Sequence, residues 1–297
     1  MVKKEADFIN KFNQSRDIIS QFLITTKEIK KSKTNKPYVE FTLQDKTGTI
    51  KARMFTNNCK KRYDNVSINN VYNIVGKIQE FPVGSKKYNI LIDDIRTSKK
   101  YNMDDFKRNA VKLDQHIEYF FNIQKEIKNK DLIKLLSGIF NDEIIREKFI
   151  NAPAAKVHHH NYRGGLIVHT NEVISICKNL CLIYEKLNKD LLLTAAILHD
   201  IGKIETYDLD ENNLISINHK GKMLDHIYIG ANMIEQICER LDIKNETKIQ
   251  LVHMILSHHG EKELGWGSTV DPLTPEAMAL HYADDISAKI TKSLDNH

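Results

Sequence analysis

Up to about Arg96 the apolar residues of this 297-residue chain recur at every second position, and from Lys99 onward they recur every three or four. A period of two belongs to strands with one buried face, and a period of 3.6 to helices with one buried stripe. No single sheet or single bundle takes both patterns, so the chain is expected to form two unequal domains, as its length also allows. The first part breaks into five runs rich in β-branched and aromatic residues: DIISQFLITTKEI, YVEFTLQD, TIKARMF, NVYNIVGKIQEF and KYNILIDDI. Each reads as a strand. Asp45-Lys46-Thr47-Gly48 joins the second run to the third as a tight hairpin. The polar stretch NNCKKRYDNVSIN, between the third and fourth runs, can make one short helix.

Five strands with a helix after the third follow the order of an OB-fold. The remainder reads as helices near 104–128, 131–140, 142–149, 166–187, 189–201, 222–241, 245–258 and 274–294. The expected fold is therefore α+β and multidomain: a five-stranded OB-fold β-barrel over residues 1–98, then an all-α bundle over 99–297. The linker is expected at Ser98–Met103. Asn151-Ala152-Pro153 and GEKELGWGSTVDPLTP are the main irregular breaks in the helical part.

Charge divides at the same place. Residues 1–100 carry 21 Lys and Arg against 10 Asp and Glu, a net of +11, whereas the rest carries 23 against 29, a net of −6. A basic module beside an acidic one suits a polyanion grip joined to a part whose carboxylates hold cations, although solvated surface lysine gives the same count. In the basic part Tyr38, Phe41, Phe55, Phe81 and Tyr88 are interleaved with Lys36, Lys46, Lys51, Arg53, Lys77, Lys86 and Lys87. Bases can stack on exposed rings while the cations follow the phosphates. At least half of those rings must fill the barrel instead, so only Lys51, Arg53, Phe55, Lys86 and Lys87 are taken as candidate nucleic-acid contacts.

No apolar run approaches the roughly 18 residues that span a bilayer, and MVKKEADFIN has no signal-peptide core. A cytoplasmic protein without membrane contact is expected. The four cysteines are scattered and form no CxxC pair, so they are read as reduced thiols, with Cys177 and Cys181 as core packing.

The segment that carries chemistry is LLLTAAILHDIGK, in which an apolar helix delivers His199 and Asp200 together. Two adjacent ligand-type side chains at the end of a buried helix are costly to leave unpaired, and a divalent cation compensates them. Further ligand types follow at helical positions: His169 in GGLIVHT, His226 in MLDHIYIG, His258 and His259 in ILSHHG, and Asp284 and Asp285 in LHYADDIS. Any one of these alone is more often a hydrogen-bonded core residue. The motif order favours Asp284 over Asp285, and only slightly His258 over His259. The run His158, His159, His160 reads equally as a substrate rim or a solvent-facing loop.

The order His … His-Asp … Asp, with histidines between, resembles the HD superfamily of metal-dependent phosphohydrolases over roughly residues 150–295. With the OB-like front, the chain resembles the YhaM-type 3′-to-5′ exoribonucleases over nearly its whole length. Ser287 departs from the pattern, standing where a second acidic residue is expected. The resemblance implies that His169, His199, Asp200 and Asp284 are the primary metal ligands, that Asp200 bridges two divalent ions, and that His226 and His258 complete the second site. Mixed imidazole and carboxylate donors suit manganese, iron or zinc better than a pure oxygen site would; two divalent ions are expected, with manganese taken first and magnesium, iron, cobalt or zinc as alternatives. Lys203 is expected either to neutralise phosphoryl charge or to cap a helix C-terminus.

The activity implied is removal of 5′ mononucleotides from the 3′ end of single-stranded RNA, and of single-stranded DNA as a second substrate, with self-association into a homo-oligomer left open. Two other readings compete. One is an HD hydrolase of nucleotides or cyclic dinucleotides whose OB part only docks a partner. The other is a non-catalytic nucleic-acid-binding protein with a structural metal.

Overall fold

A computed structural model describes residues 3–56, 58–156, 160–211 and 213–295. The chain forms two compact units, one running to Arg108 and the other spanning Asn109–Asp295. In the first, β1 (Arg16–Lys31), β2 (Pro37–Asp45), β3 (Gly48–Met54), β4 (Asn70–Glu80) and β5 (Tyr88–Thr97) close into a barrel in the order β1-β2-β3-β5-β4. The short helix α1 (Cys59–Asp64) lies between β3 and β4 in sequence. The 16-residue β1 makes closure possible, because Arg16–Ile24 pair with β4 while Leu23–Lys31 pair with β2. A bulge between Ile24 and Thr26 turns the strand from one neighbour to the other. The inward positions read off the alternation, among them Phe22, Ile24, Val39, Phe41, Leu43, Ile74, Ile78 and Ile90, are fully buried.

The unit boundary falls beyond the Ser98–Met103 linker expected from sequence. Of the α-helix expected from residue 104 there is only a single 3-10 turn at Met103–Asp105, and α2 begins at Leu113. Tertiary bonds take up this stretch: the Phe106 ring is buried, its carbonyl accepts from Gln44 Nε2 at 3.1 Å, and the Asp105 carbonyl accepts from Lys46 N at 2.8 Å. These bonds attach the segment to the barrel and override its helical period.

The second unit contains α2 (Leu113–Gln124), α3 (Lys130–Phe140), α4 (Glu143–Asn151), α5 (Gly165–Ile183), α6 (Lys189–Leu198), α7 (His219–Arg240), α8 (Asn245–Ser257) and α9 (Pro275–Asp295). A two-stranded hairpin, β6 (Tyr207–Leu209) with β7 (Ile215–Ile217), interrupts the helices between α6 and α7. Among the described residues α5 is long and apolar enough to cross a membrane by length and composition. Counting only uninterrupted apolar residues passes over it, because His169, Thr170, Asn171, Glu172 and Lys178 break the run. Leu166, Ile167, Val173, Ile174 and Cys177 of this helix join one core cluster with α3, α6, α7, α8 and α9. That core fixes the helix ends on which the polar cluster below is built.

Candidate metal centre

His199 is the residue that ends α6, with Asp200 after it, and His258 ends α8 in the same way, with His259 after it. His169 lies on α5, His226 on α7 and Asp284 on α9. The structure brings all of these together in the interior, with His169, His199, Asp200 and His258 at most 2% exposed. On one side of Asp200, its Oδ2 lies 3.3 Å from His199 Nε2 and 3.5 Å from His169 Nε2. Asp284 Oδ1 closes that group, 3.0 Å from His169 Nε2. On the other side, Asp200 Oδ1 lies 3.4 Å from His226 Nε2 and 3.6 Å from His258 Nε2. The carboxylate of Asp200 thus faces two half-sites with its two oxygens.

Each histidine is oriented through its other ring nitrogen. His199 Nδ1 bonds the Ala196 carbonyl at 2.9 Å, and His258 Nδ1 the Ile255 carbonyl at 2.6 Å. His226 Nδ1 meets Asp225 Oδ1 at 2.5 Å, His169 Nδ1 meets Ser287 Oγ at 3.0 Å, and His259 Nδ1 bonds the Trp266 carbonyl at 2.5 Å. A carbonyl only accepts, so Nδ1 carries the proton in His199, His258 and His259, and their Nε2 lone pairs are left for another partner. Burial lowers the pKa of His169, His226 and His258 against the pull of the carboxylates, and burial with the neighbouring His258 brings His259 down to about 4. These rings are neutral near pH 7. Burial also disfavours the carboxylate charges, yet Lys203 and His199 hold Asp200 below its ordinary range, and His169 does the same for Asp284. Burial works against a charge on His199 as well, but there the Asp200 and Asp284 carboxylates outweigh it and raise its pKa. The result is a buried set of imidazoles, neutral at His169, His226, His258 and His259, with ionised carboxylates, which is the donor set of a transition-metal site.

Asp200 Oδ1, His226 Nε2 and His258 Nε2 are buried without a hydrogen-bond partner among the described residues. Lone pairs turned on one another in a dry interior are unfavourable, and a cation between them reverses the sign. The residues therefore fit a bound metal. His169, His199 and Asp284 form one group whose ligand atoms lie within 4.8 Å of one another, and His226, His258 and His259 form a second. The sequence leaves His258 and His259 as rivals, whereas both reach the second group. Asp284 faces the cluster, while Asp285 pairs with Lys289 at 2.8 Å.

Lys203 is 8% exposed and its Nζ donates to Asp200 Oδ2 at 2.5 Å. Its side chain is therefore turned toward the cluster. Ser287, the departure from the expected acidic residue, donates to Glu172 Oε2 at 2.6 Å and bonds His169 Nδ1. The hydroxyl thus relays a carboxylate to His169 from one turn farther along α5. His160 Nε2 meets the same Glu172 oxygen at 3.1 Å and is buried, so it is neither rim nor solvent loop. His158 and His159 lie outside the described residues.

Sequence reasoning misses Glu172 and also Asp225. Inside α7, Asp225 has φ 62° and ψ 154°, a backbone excursion that separates its first six residues from the rest and sets the carboxylate on His226. No periodicity signals such a break. Gly202 is a second local necessity: a Cβ there would lie 2.0 Å from the His226 carbonyl oxygen and 2.5 Å from Gly230 N. Gly202→Ala must therefore push α7 away from Asp200. We expect it to destabilise the protein by about 3 kcal/mol, the upper part of the usual overpacking range. A thermal melt that matches wild type would show that the crossing has slack.

In the first unit, Phe55 is 55% exposed and stacks on Tyr38 with ring centroids 5.1 Å apart. The Arg53 guanidinium lies 5.9 Å from the Tyr38 ring and 5.9 Å from the Phe81 ring, and bonds Glu40 at 3.0 Å. Phe41 is barrel core. Lys51 is exposed on β3, its Nζ bonding Thr42 Oγ1, while Lys86 and Lys87 occupy the β4–β5 connection. The surface offers rings and cations side by side.

The OB-fold nucleic acid binding domain family matches residues 23–97, and the HD domain family matches residues 166–289. An HD domain depends on a divalent metal, and the clusters above supply His, Asp and Glu donors for one. The 3′-5′ exoribonuclease YhaM of Bacillus subtilis is 29% identical over 280 residues, covering 92% of this chain and 85% of that protein. The protein of the same name from a Geobacillus species is 32% identical over 261 residues, with 86% and 77% covered. That of Bacillus licheniformis is 30% identical over 262 residues, with 86% and 79% covered. With identity at this level across both domains, the chain belongs to the family of the 3′-5′ exoribonuclease YhaM.

Proposed function

We propose that the protein is a 3′-to-5′ exonuclease that shortens single-stranded RNA, and DNA as a second substrate, to 5′ mononucleotides at a two-metal centre. The observation that carries the two-metal reading is the trio of buried, unpartnered atoms, Asp200 Oδ1, His226 Nε2 and His258 Nε2. His169, His199, Asp200 Oδ2 and Asp284 would hold one ion, and Asp200 Oδ1, His226, His258 and His259 the other. Bound ions of this kind activate water and stabilise charge on the phosphoryl group and the leaving oxygen.

The chain's own residues do the rest. The outward Nδ1 contacts fix the rings before any ligand arrives, and the buried walls exclude bulk water from the carboxylates. Lys203 holds a positive charge at Asp200 and supplies it to the phosphate that approaches. In the first unit the rings of Tyr38, Phe55 and Phe81 provide stacking surfaces around Arg53, and the net +11 supplies a sequence-independent grip. Manganese is the proposed working ion, since the donors mix imidazole nitrogen with carboxylate oxygen.

The test is a product ladder. Purified protein, Mn²⁺ and a 5′-labelled RNA oligonucleotide should give labelled products shortened one nucleotide at a time, with nucleoside 5′-monophosphates released. An intact oligonucleotide beside a cleaved cyclic dinucleotide would overturn the reading.

A further inference from the structure

We propose that Trp266 is the stacking platform for the nucleobase at the 3′ end of the bound strand, held beside the metal centre by His259. The inference rests on the nuclease reading above. Trp266 is the chain's only tryptophan and lies in the irregular loop between α8 and α9. A ring of that size is ordinarily well buried, but this one is 48% exposed. The backbone beneath it is nonetheless fixed. The Trp266 carbonyl accepts from His259 Nδ1 at 2.5 Å, Thr269 N donates to the Leu256 carbonyl at 3.2 Å, and Lys262 N donates to Asp271 Oδ1 at 2.9 Å. Gly265 at φ +69° and Gly267 at φ +105° flank the tryptophan in the left-handed region, where a side chain would be strained.

An aromatic face is thus held toward solvent by a backbone bonded directly to a histidine of the second metal group. A cation accompanies it. Lys289 Nζ, on α9, lies 5.2 Å from the ring centroid and pairs with Asp285. A ring beside a cation is the arrangement single-stranded nucleic acids use, with the base on the ring and the backbone phosphate at the cation. Because Trp266 is tied to the catalytic cluster, the base it takes is the one whose phosphodiester is being cut. Stacking reads a π-face and no hydrogen-bond pattern, so any base is accepted, with purines favoured by area.

Trp266 is the sole tryptophan fluorophore, so binding at it is read directly in the full chain. Two RNA oligonucleotides of equal length, each with a phosphorothioate at the last linkage to slow cleavage, end in adenosine or in an abasic ribose. The adenosine-ended strand should quench the fluorescence and bind about tenfold more tightly, as expected for one base stack. Trp266→Leu should abolish that difference and raise KM for unmodified RNA about tenfold with kcat little changed, while Trp266→Phe restores most of both. Equal affinity and equal quenching for the two ends would overturn the proposal. Nucleotide release is measured separately: a wild-type protein that discriminates the ends but releases no nucleotide would sink the nuclease reading and leave the platform standing.

Discussion

Asp200→Ala should lower the rate of RNA hydrolysis by about 10³-fold or more while leaving oligonucleotide affinity within about threefold of wild type. Metal stabilisation of phosphoryl charge is worth several kcal/mol, and each factor of ten in rate is about 1.4 kcal/mol. Asp200 faces both half-sites, with Oδ2 on His169 and His199 and Oδ1 on His226 and His258. Its removal takes a ligand from each at once, whereas the basic first unit that grips the strand is untouched. The separation of the two effects is what matters. Retained hydrolysis in a metal-loaded Asp200→Ala sample would take the buried cluster out of the mechanism, and a parallel fall in affinity would mean that this cluster carries the strand binding as well.

The metal content of the protein should be two ions per chain, falling to one in His226→Ala or His258→Ala. Hydrolysis should then drop by about 100-fold, because one side of the scissile bond loses its charge stabilisation, and RNA binding should hold. The expectation of a second ion rests on two nitrogens and one carboxylate oxygen that are buried without partners among the described residues, with His259 beside them as a further donor. Elemental analysis of the reconstituted protein decides the matter: one ion per chain in wild type and in both variants would make the two histidines structural.

The sequence exposes the barrel and the helical unit through their different hydrophobic periods, alternation from Ile18 through Ile92 in the barrel and, in the bundle, a buried stripe such as Leu132, Leu135, Leu136, Ile139 and Phe140 on α3. It names His169, His199, Asp200 and Asp284 by the order of the His and Asp motifs and the family resemblance that order carries, since any one of them alone reads as an ordinary core residue. What it hides depends on tertiary contact. Residues 104–112 look helical by period, and tertiary bonds take up backbone groups a helix would use, among them the Asp105 and Phe106 carbonyls toward the barrel and Ala110 N toward the Arg163 carbonyl. Glu172 reaches His169 through Ser287, which no spacing rule anticipates because Ser287 lies 115 residues from Glu172. The pairing of His258 with His259 and the separation of Asp284 from Asp285 depend on where each ring or carboxylate points, and adjacent positions in sequence carry no such direction. Asp225 is hidden for a different reason, since its left-handed backbone contradicts the helix on either side.

His199 and His258 share one local device: each terminates its helix and returns Nδ1 to the carbonyl three residues back, Ala196 in one case and Ile255 in the other. A helix end leaves its last carbonyls without backbone donors, so the ring that satisfies one is aimed by the same bond. One ring of each metal group is therefore written into four consecutive residues, AILH and ILSH, and takes shape as soon as its helix does. Assembly of the centre then reduces to bringing two pre-aimed helix tips against a third, fourth and fifth element. A substitution that frays either tip, such as proline at Leu198 or Ser257, would scramble the ligand direction without touching a ligand.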